Sequence, residues 1–410
     1  MRLAPFHLSG EARPGVWLFV DEAPEFGGHE VMLLNLLREL SARRHVHCSL
    51  LARRGSRLLE EAGEFAVVDT FAPARPARGV AAQVYARISG SLRDALAFAR
   101  VLVTLKPTLC VVAEGFVGRQ PLYALLARLL GVTVAVYTPL VESAASMRFR
   151  LGGLRDWCTR TLYSRIPHAW ITITREQAQR FAAWSGTPRP IFTLSNTVSP
   201  VVERVAAAGP ADDARCRSRP FRVLVLGRLD ANQKGLDLLL DFLAGAFWLQ
   251  GLIRVELVGE GAFGEEIQRR MAASPLLQSL LALHSWSDSA HEWMHGCGAL
   301  LITSRYEGVP LVMLEAMGVG LPVVASDLPG TRSYLAPDCL FEVGDFARAF
   351  RIVLRLANPR VRAAVIRRNY RAFRERATHT AFSASVDRLS ANLERMHAGR
   401  QASVAEPPCG

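Results

Sequence analysis

With 410 residues, 50% of them apolar and 21% charged, the chain is long enough for two domains that each bury a core. Its composition excludes the disordered and collagen-like classes. Seven cysteines without a C-x-x-C pair argue against a disulfide or zinc framework, and the formal charge of +12 suits an anionic surface or an acidic substrate.

In chain order, the opening "MRLAPFHLSGEARPG" lacks the apolar core of a secretory leader, which points to a cytoplasmic setting. β-Branched runs then alternate with helical patterns. Strands are predicted at 16–20, 46–51, 66–71, 109–113, 132–137, 169–174 and 191–194, and helices at 30–43, 83–105, 120–130 and 175–185. A stretch without clear periodicity, 201–221, reads as a linker. Beyond it, strands are predicted at 222–227, 253–258, 299–303 and 322–325, with helices near 235–246, 264–273, 310–318, 345–357 and 360–377. Alternation of this kind predicts parallel sheets covered by helices, hence an α/β chain of two doubly wound, Rossmann-like domains facing across a cleft. The expected division is 1–200, linker 201–221, 222–378, a helix 379–398 packing back on the first domain, and a flexible tail 399–410.

Charge is uneven along this plan. Up to residue 199 there are 24 basic and 15 acidic residues; from 200 onward there are 25 and 22. The basic first half predicts a peripheral contact with an anionic inner-membrane surface. No zinc finger, RNP-type aromatic motif or basic low-complexity tail supports nucleic acid as a partner. The segment 147–166 mixes five arginines with Phe149, Trp157 and Tyr163. It reads either as a membrane-surface helix or as a solvated helix with its apolar side on the sheet.

Of 49 basic side chains only two are lysines, Lys106 and Lys234. A lysine retained in so arginine-rich a chain points to a site that needs a compact ammonium. Lys234 lies in "GRLDANQKG", where a strand ends at Gly227 and Arg228 follows. Two cations beside a helix start match what a diphosphate needs. In "SRYEGVPLVMLEAMGVG" (304–320), Pro310 is expected as the first helical residue. The N–H groups of Leu311 and Val312 are then free donors at a positive helix end. Gly308 allows close backbone approach, Glu307 stands at the rim, and Glu315 lies about 7 Å further along the axis, placed for a ribose diol or, equally, facing solvent. "GEGAFG" (259–264) formally fits a dinucleotide fingerprint but follows the second strand of its domain, so Gly259 and Gly261 read as a donor-side turn.

Together "GRLDANQKG", "LVGEGAFG" (257–264), "SRYEGVPLVMLEAMGVGLPVVASDLPG" (304–330), "LSNTV" (194–198) and "EFGGHEVMLLNLLREL" (25–40) resemble family-4 glycosyltransferases of the GT-B architecture. The resemblance implies a retaining, metal-independent, hexosyltransferase-type transfer from a nucleoside-diphosphate sugar to a glycan or lipid-linked acceptor in cell-surface polysaccharide or lipopolysaccharide synthesis. It assigns Arg228 and Lys234 to the diphosphate, Glu315 to the ribose and Glu307 to the transferred sugar. The backbone of Gly308, Val309, Pro310, Leu311 and Val312 completes the phosphate cradle, with Gly28 across the cleft. No D-x-D motif is present to hold a metal, and no other cofactor is expected. The base is expected near "HSW" (284–286).

On the acceptor side, His29, Glu114, Tyr137, Thr138 and Glu142 are candidates, although Glu114 and Glu142 read more readily as capping or surface residues. Tyr137 and Thr138 stand where many family members carry a His. The competing readings are a sugar-nucleotide epimerase of the same fold and a non-catalytic scaffold of a glycan-assembly complex.

Overall fold

A computed structural model of the chain describes residues 15–23, 26–43, 46–63, 66–71, 80–209, 220–286 and 290–405. The first fourteen residues, His45 and the tail from 406 lie outside the described residues.

The described strands form two sheets. The first contains β1 (Gly15–Asp21), β2 (Val46–Arg53), β3 (Ala66–Phe71), β4 (Leu109–Ala113), β5 (Thr133–Tyr137), β6 (Ala169–Thr172) and β7 (Ile191–Thr193), in the order β3-β2-β1-β4-β5-β6-β7. The second contains β8 (Phe221–Leu226), β9 (Ile253–Val258), β10 (Leu281–His284), β11 (Ala299–Ile302), β12 (Val323–Ser326) and β13 (Leu340–Phe341), in the order β10-β9-β8-β11-β12-β13. Every pairing is parallel. β4, β5, β11 and β12 are buried along their whole length, which is why they read as continuous apolar runs: helices cover both faces. Side chains such as Trp170, Phe181, Phe350 and Phe373 are fully enclosed, each worth about 1.5–3 kcal/mol of transfer free energy.

In each sheet the strand order reverses once, between β1 and β4 and between β8 and β11. Ligands in open parallel sheets bind outside the strand carboxyl ends at such points. The segments that follow β1, β8 and β11 are the three motif loops of the sequence.

Three elements differ from expectation. Residues Pro200–Ala207 form a helix, started by Ser199, whose Oγ accepts the Val202 N–H at 3.4 Å. It buries Val202 and Ala206, with Val202 packed beside Gly318; its single turn of contact was too short to show a period. β10 follows the Pro275–Leu280 helix without a break, and its leucines continue the helical composition. The closing helix runs His379–Ala405, so 399–405 is helical rather than tail. It lies on the first sheet's helices, with Asp387 paired to Arg43 at 2.6 Å and His397 Nδ1 2.9 Å from Thr133 Oγ1. Among the described residues, no helix is long and apolar enough to cross a membrane.

Candidate functional site

The site is built on the carboxyl ends of β8 and β11. After β8, Gly227 and the exposed Arg228 lead into the Ala231–Lys234 turn, which Asp230 caps by accepting the Gln233 N–H at 2.7 Å. After β11, Thr303 Oγ1 donates to the Lys234 carbonyl at 2.6 Å, binding the two loops together. Lys234 Nζ then forms an ion pair with Glu307, whose Oε1 also accepts from Ser304 Oγ at 3.0 Å. Lys234 and Glu307 remain 22% and 10% exposed, so this pair stands at the mouth of the pocket rather than within the core. The pocket is lined by Gly227, Arg228, Lys234, Ser304, Pro310 and Val312, over a floor of β-strand ends.

Behind the pair, Arg305 makes a two-pronged bond to Asp237, with both N···O distances 2.7 Å, and also donates to the carbonyls of Ala231 and Asn232. Burial disfavours the Asp237 carboxylate, but Arg305 outweighs that effect and holds its pKa below the ordinary value. This fork fixes the turn that carries Lys234. Arg305, Asp237 and Ser304 were missed by sequence reasoning. The S-x-x-E spacing of "SRYE" was the one signal available for Ser304; Arg305 and Asp237 are 68 residues apart and gave none.

The helix Leu311–Gly318 starts one residue later than expected. Pro310 is its cap, with φ −62° and ψ 122°, because the ring fixes φ while the extended ψ turns the chain into the helix. Met313 makes the first bond back, to the Pro310 carbonyl at 3.1 Å, which leaves the Leu311 and Val312 N–H groups ahead of it at the positive end. Val309 and Pro310 are buried, and Asn196 Nδ2 donates to the Val309 carbonyl at 3.2 Å. Asn196 belongs to the expected "LSNTV" strand end. At Gly308 a Cβ would stand 2.6 Å from the Pro139 carbonyl oxygen of the facing domain, so glycine is required by close approach. Gly259 and Gly261 answer a similar need: a Cβ there would meet the carbonyls of Gly227 and Leu229 at 1.9 and 2.4 Å. They pack the β9 loop against the β8 loop.

Glu315 lies half-buried inside this helix and has no hydrogen-bond or ion-pair partner among the described residues. Burial alone pushes its carboxyl up to about 7. In the segment expected to meet the base, Trp286 is 45% exposed, and His284 Nε2 meets Glu256 at 2.7 Å; none of the three lines the pocket.

Across the cleft, the helix Gly28–Ser41 begins at the Gly-Gly loop. A Cβ on Gly28 would lie 3.5 Å from Leu311 Cδ1, so two helix N-termini face one opening. His29 sits between Asp21 and Glu30, each 2.9 Å away. Burial opposes its charged form, but the two carboxylates win and push it up to about 10. Glu30 also accepts the Gly27 N–H at 2.8 Å, so the triad fixes the loop's backbone.

The acceptor-side candidates lie at different depths. Tyr137, which ends the fully buried β5, and Thr138, which follows it, are fully enclosed and present no side chain to an acceptor. Glu114 is also fully buried; it accepts the N–H groups of Gly118, Arg119 and Gln120 at 3.0–3.1 Å and the Tyr163 hydroxyl at 3.2 Å. Burial still pushes it up to about 7. It anchors a loop. Glu142 pairs with Arg180 at 2.8 Å and accepts from Ser146.

Comparison with solved structures places this architecture. Anabaena HepE, solved with UDP and glucose, superposes with a TM-score of 0.68 at 16% identity, covering 92% of this chain and 99% of that one. Sucrose-phosphate synthase from Thermosynechococcus elongatus gives 0.71 at 16% identity, over 93% and 99%. The fold is GT-B.

In sequence, residues 220–358 match the family model described as "Glycosyl transferases group 1". The amylovoran biosynthesis glycosyltransferase AmsD of Erwinia amylovora is 34% identical over 28% of this chain and 32% of its own length. A lipopolysaccharide 1,6-galactosyltransferase of Salmonella typhimurium is 28% identical over 35% and 40%. A phosphatidyl-myo-inositol mannosyltransferase of Mycobacterium leprae is 33% identical over 28% and 30%. The match thus spans well under half of each relative. Together the sequence and structure comparisons show a GT-B fold whose second domain matches the group 1 glycosyltransferase model.

Proposed function

We propose that the protein is a retaining, metal-independent glycosyltransferase that moves a hexosyl group from a nucleoside-diphosphate sugar to a glycan or lipid-linked acceptor on the cytoplasmic side of a membrane. The observation that carries this reading is the meeting, at one pocket mouth, of Arg228, the Lys234–Glu307 pair and the free start of the Leu311–Gly318 helix. Without donor, Glu307 neutralises Lys234. A diphosphate carries more charge than one carboxylate, so it draws Lys234 away and releases Glu307 to accept hydroxyls of the transferred sugar. Arg228, Lys234 and the Leu311 and Val312 amides then stabilise the diphosphate as the bond from the sugar to its β-phosphate breaks. Positive charge from these groups takes the part that a divalent ion plays at an acidic metal motif. Glu315, without a partner of its own, accepts the ribose hydroxyls.

Incubation with UDP-, GDP- and ADP-sugars and a glycolipid extract tests the reading. Nucleoside diphosphate should be released in the presence of EDTA, and the product should keep the donor's anomeric configuration by NMR. Release abolished by EDTA and restored by magnesium contradicts metal independence. An inverted anomer contradicts retention. Donor consumed equally with and without acceptor favours the epimerase.

A further inference from the structure

Twelve of the eighteen exposed large apolar side chains among the described residues lie between 92 and 162, on the helices that cover one face of the first sheet. The helix Gly152–Thr161 is turned inside out relative to ordinary packing. It buries Gly152 and Thr159, while Leu154 and Trp157 are 57% and 58% exposed, flanked by Leu151 and Leu162 at 68% and 60%. The neighbouring helix Pro121–Leu129 buries Tyr123, Ala124 and Ala127 and exposes Leu125 and Leu129. Beside it, the helix Val80–Leu105 exposes Leu92, Leu96 and Val103. The helices Val80–Leu105 and Pro121–Leu129 meet where Phe98 packs edge-on against Tyr123 at 5.2 Å, and the segments flanking the helix Gly152–Thr161 join them, with Phe149 stacked on Phe116 at 5.2 Å and the Ile166 carbonyl accepting from Arg128 at 2.9 Å.

Charge on this face has one sign. Residues 92–165 hold ten cationic side chains and four acidic ones, and no acid among them is exposed. Asp94 and Glu114 are buried, Glu142 is paired with Arg180, and Asp156 accepts the Ala144 and Ala145 amides. The guanidinium groups of Arg119 and Arg155 lie 5.8 and 4.8 Å from the rings of Phe116 and Phe149, so cation and aromatic stand at one depth. A second copy of the chain would set these cations against each other. An anionic lipid surface takes the leucines and Trp157 into its acyl boundary and the arginines among its head groups. We infer that the face formed by the helices Val80–Leu105, Pro121–Leu129 and Gly152–Thr161 docks the protein on an anionic bilayer. The inference is independent of the donor pocket, which lies on the other domain.

Co-sedimentation with vesicles tests it. The full chain should bind vesicles of equal parts phosphatidylcholine and phosphatidylglycerol, release at molar salt, and ignore phosphatidylcholine alone. Replacing Leu125, Leu129 and Trp157 together by Glu removes apolar contact and adds like charge, and should lower the bound fraction about tenfold or more. All three side chains are exposed, so the unfolding temperature and the nucleotide response should persist. Phe247→Glu, at an equally exposed site of the second domain, should bind as wild type. In a second arm, brominated lipid should quench the fluorescence of wild type more than that of Trp157→Phe. Absence of binding to the anionic vesicles overturns the proposal, as does equal binding by the triple variant. Self-association that the triple substitution abolishes, with vesicle binding unchanged, assigns the face to a second copy instead.

Discussion

The two sheets share one topology and one kind of opening, yet their switch points are chemically opposite. In the first, the buried Asp21 and Glu30 pair with His29 at 2.9 Å each, and Glu30 and the buried Glu114 accept backbone amides, although the Asp21 Oδ2–His29 Nε2 contact is an ion pair without a hydrogen bond. In the second, Glu315 has no partner among the described residues, and the Lys234–Glu307 pair stands partly in solvent beside a free helix end. Polar groups that satisfy each other fix a backbone; those left incomplete await a ligand. The difference is the ground on which we propose binding at the second switch point and a structural part for the first.

The largest effect should come from the first region. His29→Ala leaves two buried carboxylates without their cation, at a cost of about 3–5 kcal/mol of stability, read from the urea midpoint. The folded variant should still respond to nucleotide. The pKa of His29 is raised from 6.5 to about 10, so its contribution is complete below about 6.5 and declines as pH rises through about 10. The stability gap between wild type and variant should close over that window. A variant of normal stability that no longer binds nucleotide would make the two regions one site.

Next, Lys234→Ala should reduce kcat/KM about 10²–10³-fold with a much smaller change in stability. Arg305→Lys keeps the charge but loses the fork to Asp237; about a tenfold loss in kcat/KM is expected, and unaltered kinetics would deny it any part in placing Lys234. The smallest effect belongs to Glu315→Gln. The pKa of Glu315 is about 7 in the fold against 4.5 unfolded, so the native state holds an extra proton between these values and loses stability as pH rises through about 7. Glutamine escapes that loss. The ligand-free variant should melt higher than wild type at about pH 8 and no higher at about pH 5, while binding nucleotide more weakly.

Strands such as "LCVVA" and "VLVL" were legible because burial on both faces leaves only apolar choices. β13, two residues long, and the Pro200–Ala207 helix, which buries only Val202 and Ala206, were not, since neither repeats its buried positions often enough to show a pattern. In the site, glycines, a lysine among arginines and two glutamates marked the loops that the fold brings together. What could not be read was depth. Tyr137 ends a strand as Asp21 does, and only the packing of the covering helices decides that its hydroxyl is sealed off, without a partner among the described residues. Arg305 and Asp237 meet only through the fold.

The central claim, a donor site at the second switch point, is tested most directly by thermal unfolding with UDP, GDP and ADP, for wild type and Lys234→Ala. A nucleotide at 100 times its Kd should add about 2.7 kcal/mol to the state it binds. One of the three should raise the wild-type midpoint by several degrees, and the variant should lose most of that shift. No shift with any nucleotide at millimolar concentration, or an equal shift in the variant, would contradict the account.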